Sequence, residues 1–228
     1  MQEGLFSQLE YSKKKVNVFL SGALNYSTFW RYDHFYFDSD NARSKNIGFL
    51  GGNIKTGANY NINKNNNVFA NIGYNSKAPA FKNGAFMSAT SSNVTNKRAK
   101  NEKSLSAEIG YMFHNEYLNF KANAYYTKWM DKSMTKKGKL TEQYYVNMTG
   151  VGSRHMGLEF ELRTTPFQWF EAGAMFSIGD WCWDSESAIG YAYNIYGEAL
   201  STEGDVTTAG AADHAWAKIK MEGVHVGG

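Results

Sequence analysis

Apolar and polar side chains alternate along most of this chain. Leu118, Phe120, Ala122, Ala124 and Tyr126 share one parity, and Asn119, Lys121, Asn123 and Thr127 the other. Met156, Leu158, Phe160 and Leu162 oppose His155, Gly157, Glu159, Glu161 and Arg163. Leu105, Ala107, Ile109, Tyr111 and Phe113 oppose Ser104, Ser106, Glu108, Gly110 and His114, and Phe170, Ala172, Ala174, Phe176 and Ile178 repeat the pattern. A period of two is that of a β-strand with one apolar face. Val16–Tyr32 follows it as well, with Phe19 and Phe29 as exceptions. The runs predict nine strands, over 4–12, 16–32, 48–62, 67–76, 104–114, 117–129, 143–163, 169–182 and 214–226. Gly150-Val151-Gly152 predicts a bulge inside the seventh.

Short turns punctuate the runs at Lys13-Lys14-Lys15, Asn63-Lys64-Asn65-Asn66, His114-Asn115-Glu116 and Thr164-Thr165-Pro166, roughly fifty residues apart. Longer polar connections separate them, among them the Ser-, Thr-, Asn- and Lys-rich Lys82–Lys103, read as exposed and mobile, and Thr135–Lys139, read as a solvated loop. Short turns on one side and long loops on the other fit an up-and-down membrane barrel. A soluble β-sandwich also has strands with one apolar face. Aromatic position favours the barrel. Tyr11, Tyr60, Phe113, Tyr117, Phe167 and Trp169 flank the short turns, and Trp30, Tyr32, Tyr74, Trp129, Trp181 and Trp183 lie towards the long loops. Two such bands suit the two lipid–water interfaces. Val16–Tyr32, at ~55 Å extended, is also long for a sandwich strand.

Composition agrees with this reading. Among 228 residues are 15 Tyr, 15 Phe and 6 Trp but only 2 Pro, a balance that favours strands. A net charge of +3 gives no basis for a nucleic-acid partner. The single Cys182 excludes an internal disulfide framework. No apolar run reaches the ~18 residues of a membrane helix, whereas a barrel strand spans with ~9–11. Met1–Phe6 lacks the charged start and apolar core of a signal peptide, which leaves a cytoplasmic protein or an internal piece, and the second is preferred.

Several segments resemble a known family. Asn67–Tyr74 followed by Ala78-Pro79-Ala80-Phe81, then Glu102-Lys103-Ser104 leading into Glu108-Ile109-Gly110-Tyr111, then Tyr125–Trp129 and His155–Leu162 resemble TonB-dependent outer-membrane receptors, in the family's order. The Asn- and aromatic-rich style is similar to Bacteroidetes-type receptors. The resemblance implies an all-β, antiparallel up-and-down transmembrane barrel of about 22 strands with a plugged lumen. Residues 1–228 would supply about nine of these strands within one β-barrel domain, and the N-terminal plug and closing C-terminal strands are expected to lie elsewhere. It implies a Gram-negative outer-membrane location and active import of a nutrient such as a siderophore, haem, cobalamin or glycan. It also implies lipid, the TonB complex, the small-molecule or oligosaccharide ligand and a surface lipoprotein as partners. No cofactor and no enzymatic activity are expected. The alternatives are a small porin-like or structural barrel and a soluble carbohydrate-binding sandwich.

Two groups of residues are site candidates. Trp181 and Trp183 beside Asp180 and Asp184, with Tyr191, Tyr193 and Tyr196, concentrate rings in a predicted loop, where aromatic faces stack on sugars, haem or catecholates, although an interface girdle with loop packing is the slightly stronger expectation. His155, Glu159, Glu161 and Arg163 form a polar strand face predicted to line the lumen, with Glu108 and Lys121 on similar faces. Contact with the plug and cross-strand charge pairing is the stronger expectation for these. His34, His114, His155, His214 and His225 show no metal-ligand spacing, and no nucleophile–base or nucleotide motif occurs.

Overall fold

A computed structural model describes residues 1–33, 40, 42–82, 84–86, 93, 95–96, 98–139, 143–194 and 216–225. Nine strands follow in chain order: β1 Gln2–Lys13, β2 Val16–Phe29, β3 Ile47–Asn61, β4 Asn66–Lys77, β5 Glu102–His114, β6 Leu118–Lys139, β7 Gln143–Phe167, β8 Phe170–Asn194 and β9 Trp216–His225. They form one sheet in sequential order, each strand antiparallel to its neighbours. No second sheet packs on it among the described residues, which removes the sandwich.

Register turns local alternation into two continuous faces. Tyr11, Val18, Ala58, Ala70, Ile109, Ala124, Leu158 and Ile178 are successive partners across β1 to β8, and all are apolar. Val16, Tyr60, Val68, Tyr111, Ala122, Phe160 and Phe176 form a second such line. The opposite face carries Asn17, Asn59, Phe69, Gly110, Asn123, Glu159 and Ser177 as successive partners. A slip of one residue in any pair would break both faces at once.

The apolar face has a sharp outer limit. On β5 it runs from Phe113 to Leu105 and gives way to Lys103; on β6 from Leu118 to Tyr126, then Lys128. On β7 and β8 it ends at Met156 and Ile178, followed by Arg154 and Asp180. Leu118–Tyr126 extends ~30 Å at ~3.3 Å per residue, and at a tilt of ~40° stands ~23 Å tall, the height of a lipid-facing band. Ion pairs sit just beyond it: Lys103–Asp131 at 2.9 Å, Lys128–Asp184 at 3.3 Å and Arg154–Asp180 at 3.5 Å. Charges gather where the surroundings change from hydrocarbon to water, because ionised groups inside the band would be unsolvated.

Past this belt the sheet departs from the sequence reading. Thr135–Lys139 is part of β6 and pairs with Gln143–Asn147, and Trp181–Asn194 belongs to β8. Polar and apolar residues mix on both faces there, so their alternation is weak, but backbone pairing resumes beyond each register shift. The three strands continue on the order of 35 Å past Lys128. At the same level the register shifts on both sides of β7, where Asp131 and Gly150 take positive φ of 57° and 85°. The bulge predicted at Gly150–Gly152 is there. Met148, Val151 and Ala188 bury together beneath Met134, Val146 and Trp183.

The short turns lie at the opposite end. Lys14 (φ 52°) and Lys15 close β1–β2. Asn63 Oδ1 accepts from the backbone N–H groups of Asn65 and Asn66 at 2.9 and 3.0 Å, and Asn115 Oδ1 accepts from those of Tyr117 and Leu118 at 2.9 and 2.8 Å. These are Asx-turns, with a side chain replacing a backbone acceptor. The fourth turn is displaced from its predicted place: β7 runs through Thr164-Thr165-Pro166, and the chain reverses at Gln168–Trp169. Pro166 is tolerated because the register shift between Thr164 and Phe167 leaves it without a ladder partner.

Candidate functional site: the inner wall and its outer mouth

The polar face is the wall that a closed barrel presents to its lumen. Asn71, Glu108, Tyr125, Gly157 and Gly179 are successive partners on it, as are Lys55, Gly73, Ser106, Thr127, His155 and Trp181. Lys55, Asn71, Glu108, Asn123, Tyr125 and Glu159 line a shallow concavity of about 310 Å³.

Of the predicted lumen-facing residues, His155, Glu159, Glu161 and Arg163 do share this face. Asn123 Nδ2 donates to Glu159 Oε2 at 3.1 Å. Glu161 is the direct partner of Lys121, whose ammonium stands 5.6 Å from the centre of the Phe69 ring. Arg163 pairs with Glu171 at 3.7 Å, both 61% exposed, so this contact contributes little. Glu159 and Glu161 are near enough to compare with paired catalytic carboxylates, but Glu159 is engaged by Asn123 across the strands and Glu161 stands opposite Lys121.

The aromatic candidates separate. Trp181 is on β8 and faces inward: its indole Nε1 donates to the Tyr125 hydroxyl at 2.9 Å, and its ring centre lies 6.2 Å from that of His155. Trp129 shares that parity, opposite Ser104 and Ser153. Neither belongs to the lipid-interface band expected of them, which Tyr26, Tyr74 and Tyr126 supply on the apolar face. Trp183 packs on the small core around Val151. Tyr191 and Tyr193 are strand residues of β8, opposite Asn147 and Tyr145, and Tyr196 lies outside the described residues.

The reason Tyr125 and Trp181 can lie flat is glycine. A Cβ at Gly179 would meet Trp181 Nε1 at 2.8 Å and the Tyr125 hydroxyl at 3.0 Å, and one at Gly157 would meet that hydroxyl at 2.8 Å. Two neighbouring glycines thus make a floor for a pair of rings spanning β6 to β8. Tyr125 was not singled out by sequence reading, although a large ring at an inward position between Ala124 and Tyr126 was the available signal. Phe19, an exception to alternation, is explained in the same way: it covers Gly57 on the inner wall, 5.8 Å from the Lys55 ammonium.

Lys82–Lys103 also differs from its reading as an exposed loop. Ala85, Phe86 and Asn96 are buried, and the other exception, Phe29, packs with them and with Phe49. Arg31 reaches the same cluster, where burial lowers its pKa and the charge of Asp33 opposes the shift. Among the described residues no three His, Cys, Asp or Glu side chains gather to hold a metal ion.

Residues 1–216 match the family model described as TonB dependent receptor-like, β-barrel. The chain belongs to this family. Its members are receptors and transporters of Gram-negative outer membranes and do not form an enzyme family. Among solved structures, the copper transporter OprC is similar in fold, with a TM-score of 0.62 at 12% identity over 86% of this chain. The chain spans 37% of the length of OprC. No curated protein matches.

Proposed function

We propose that this chain is part of the barrel wall of a TonB-dependent receptor that imports a nutrient across the outer membrane, a siderophore or haem, cobalamin or a glycan. The observation that carries the reading is the pair of faces set by register: a predominantly apolar band ~23 Å tall on one side, ended by charged residues, and a polar wall on the other. Nine sequential antiparallel strands and a span of 37% of OprC support a larger barrel around them. A plug inside it, the TonB complex acting on that plug and a surface lipoprotein are the proposed partners, and the composition supports a Bacteroidetes-type source. At 12% identity the likeness to OprC carries the fold and no cargo.

The Tyr125–Trp181 pair is the proposed ligand contact. Trp181 is 39% exposed at the outer end of the wall, and Tyr125, accepting from the indole, keeps its own hydroxyl proton for a guest. Fractionation of native cells tests the reading: the full-length product belongs in the outer membrane, and recovery in the soluble fraction sinks it. Trp181→Ala should then weaken affinity for the limiting nutrient ~2- to 12-fold if stacking worth ~0.5–1.5 kcal/mol is lost. Unchanged uptake would remove Trp181 from the site.

A further inference from the structure

The connections after β2 and after β4 meet on the inner face of the sheet. Phe86, 1% exposed, packs on Phe49 of β3, and its ring lies 4.9 Å from that of Phe81. The Arg31 guanidinium stacks over Phe86 at 5.1 Å, and its Nε donates to Asn93 Oδ1 at 2.8 Å. Asn93 Nδ2 in turn donates to the carbonyl of Ala42 at 2.8 Å. These contacts bind the two connections to each other and to β3.

Asn96 carries the assembly across the sheet. It is 1% exposed, its backbone N–H donates to the Ala85 carbonyl at 2.8 Å, and its Oδ1 accepts from the N–H of Arg98 at 3.0 Å. Its Nδ2 donates to the Gly84 carbonyl at 2.9 Å and lies 3.4 Å from Thr149 Oγ1, on β7. Between β3 and β7 the sheet places β4, β5 and β6. A continuous path of contacts from Phe49 through Phe86, Ala85 and Asn96 to Thr149 therefore crosses the inner face as a chord, with its two ends on strands that are not neighbours. A buried amide with donors and acceptor all engaged specifies one arrangement, since leaving any of them unpaired in that site is costly.

We propose that Gly84–Phe86 and Asn96 form a fixed strap across the outer mouth of the lumen, buckled to β7 by Asn96, which restricts access from outside to the wall beneath it. This rests on the chain being an outer-membrane barrel segment. The strap is a positioning device, and it predicts that the wall under it becomes accessible when the buckle is undone.

Ser106 is a suitable reporter, being inward-facing on β5 between the two ends of the strap. In the full-length protein, on whole cells and with Cys182→Ser as background, Ser106→Cys is treated with a membrane-impermeant maleimide. Asn96→Ala should raise the labelling rate ~10-fold, as expected when a buried hydrogen-bonding group is removed from a closing equilibrium. Thr149→Val, which frees only the β7 end, should raise it ~3-fold. Lys64→Ala, in the β3–β4 turn at the opposite end of the sheet, should leave the rate within about twofold. Equal rates in all forms, or no labelling in any, would overturn the strap. Absence of the protein from the outer-membrane fraction would instead overturn the barrel reading, and heat-modifiable migration of each variant confirms that it has folded.

Discussion

Replacing Ile109 by Lys tests the assignment of faces at its centre. Ile109 is the middle residue of the apolar run from Leu105 to Phe113 on β5, flanked in register by Ala70 and Ala124, and it is 63% exposed. On a water-facing surface such a change lies within ~0.5 kcal/mol of neutral. At the middle of a lipid-facing band it costs ~2–4 kcal/mol, and near an interface ~0–1. Leu105→Lys supplies the interface case, because Leu105 lies opposite Lys128, at the level where charges begin. Ser106→Lys supplies the inner-wall case. The expected order of destabilisation is Ile109→Lys well above Leu105→Lys, with Ser106→Lys near neutral. At ~1.4 kcal/mol per decade, the midplane variant should lower the folding equilibrium constant ~30- to 700-fold. Urea titration of the full-length protein into lipid vesicles, followed by heat-modifiable migration, measures it. Ile109→Lys and Leu105→Lys agreeing within ~0.5 kcal/mol would refute the depth assignment, and a neutral Ile109→Lys would refute the lipid face itself.

Gly152→Ala should be among the most damaging small substitutions, because its Cβ would fall inside contact distance of the Asp184 carbonyl oxygen on β8 and 3.2 Å from that of Trp129 on β6. Backbone on both sides leaves no flexible side chain to yield, so a loss of ~3 kcal/mol or more is expected in the same titration; a shift under ~1 kcal/mol would show that the bulge adjusts freely. Asn63→Ala removes the acceptor for two backbone N–H groups in the β3–β4 turn, and should cost ~1–2 kcal/mol while Asn63→Asp retains most of the stability. Equal losses for the two would mean that the turn does not depend on that oxygen.

Strand number, strand order and the identity of the lipid face were legible in the sequence between Val16 and Ile178. There the alternation is strong because a strand between hydrocarbon and a polar interior must change character at every residue. The same physics explains where reading failed. Beyond Lys128, Arg154 and Asp180 no face meets hydrocarbon alone, and polar and apolar residues mix, so Thr135–Lys139 and Trp181–Asn194 carry no such signature although their backbones are paired. Pro166 marked a turn two residues early for a related reason: a register shift, invisible to composition, gave it a place without a donor.

Register sets His155, Glu159, Glu161 and Arg163 on one face of the sheet, but what each meets depends on neighbours distant in sequence. Glu159 finds Asn123, and Trp181 finds Tyr125, 56 positions away, over glycines contributed by β7 and β8. Asn96 belongs to a segment whose composition reads as exposed loop, and only its meeting with Gly84 and Thr149 reveals it as buried. Local side-chain order determined that this chain forms barrel strands and which way each faces, because lipid acts on every residue independently. Tertiary structure alone decided which aromatics leave the interface for the lumen and which connection crosses it, because those outcomes depend on register between strands and on packing across the sheet.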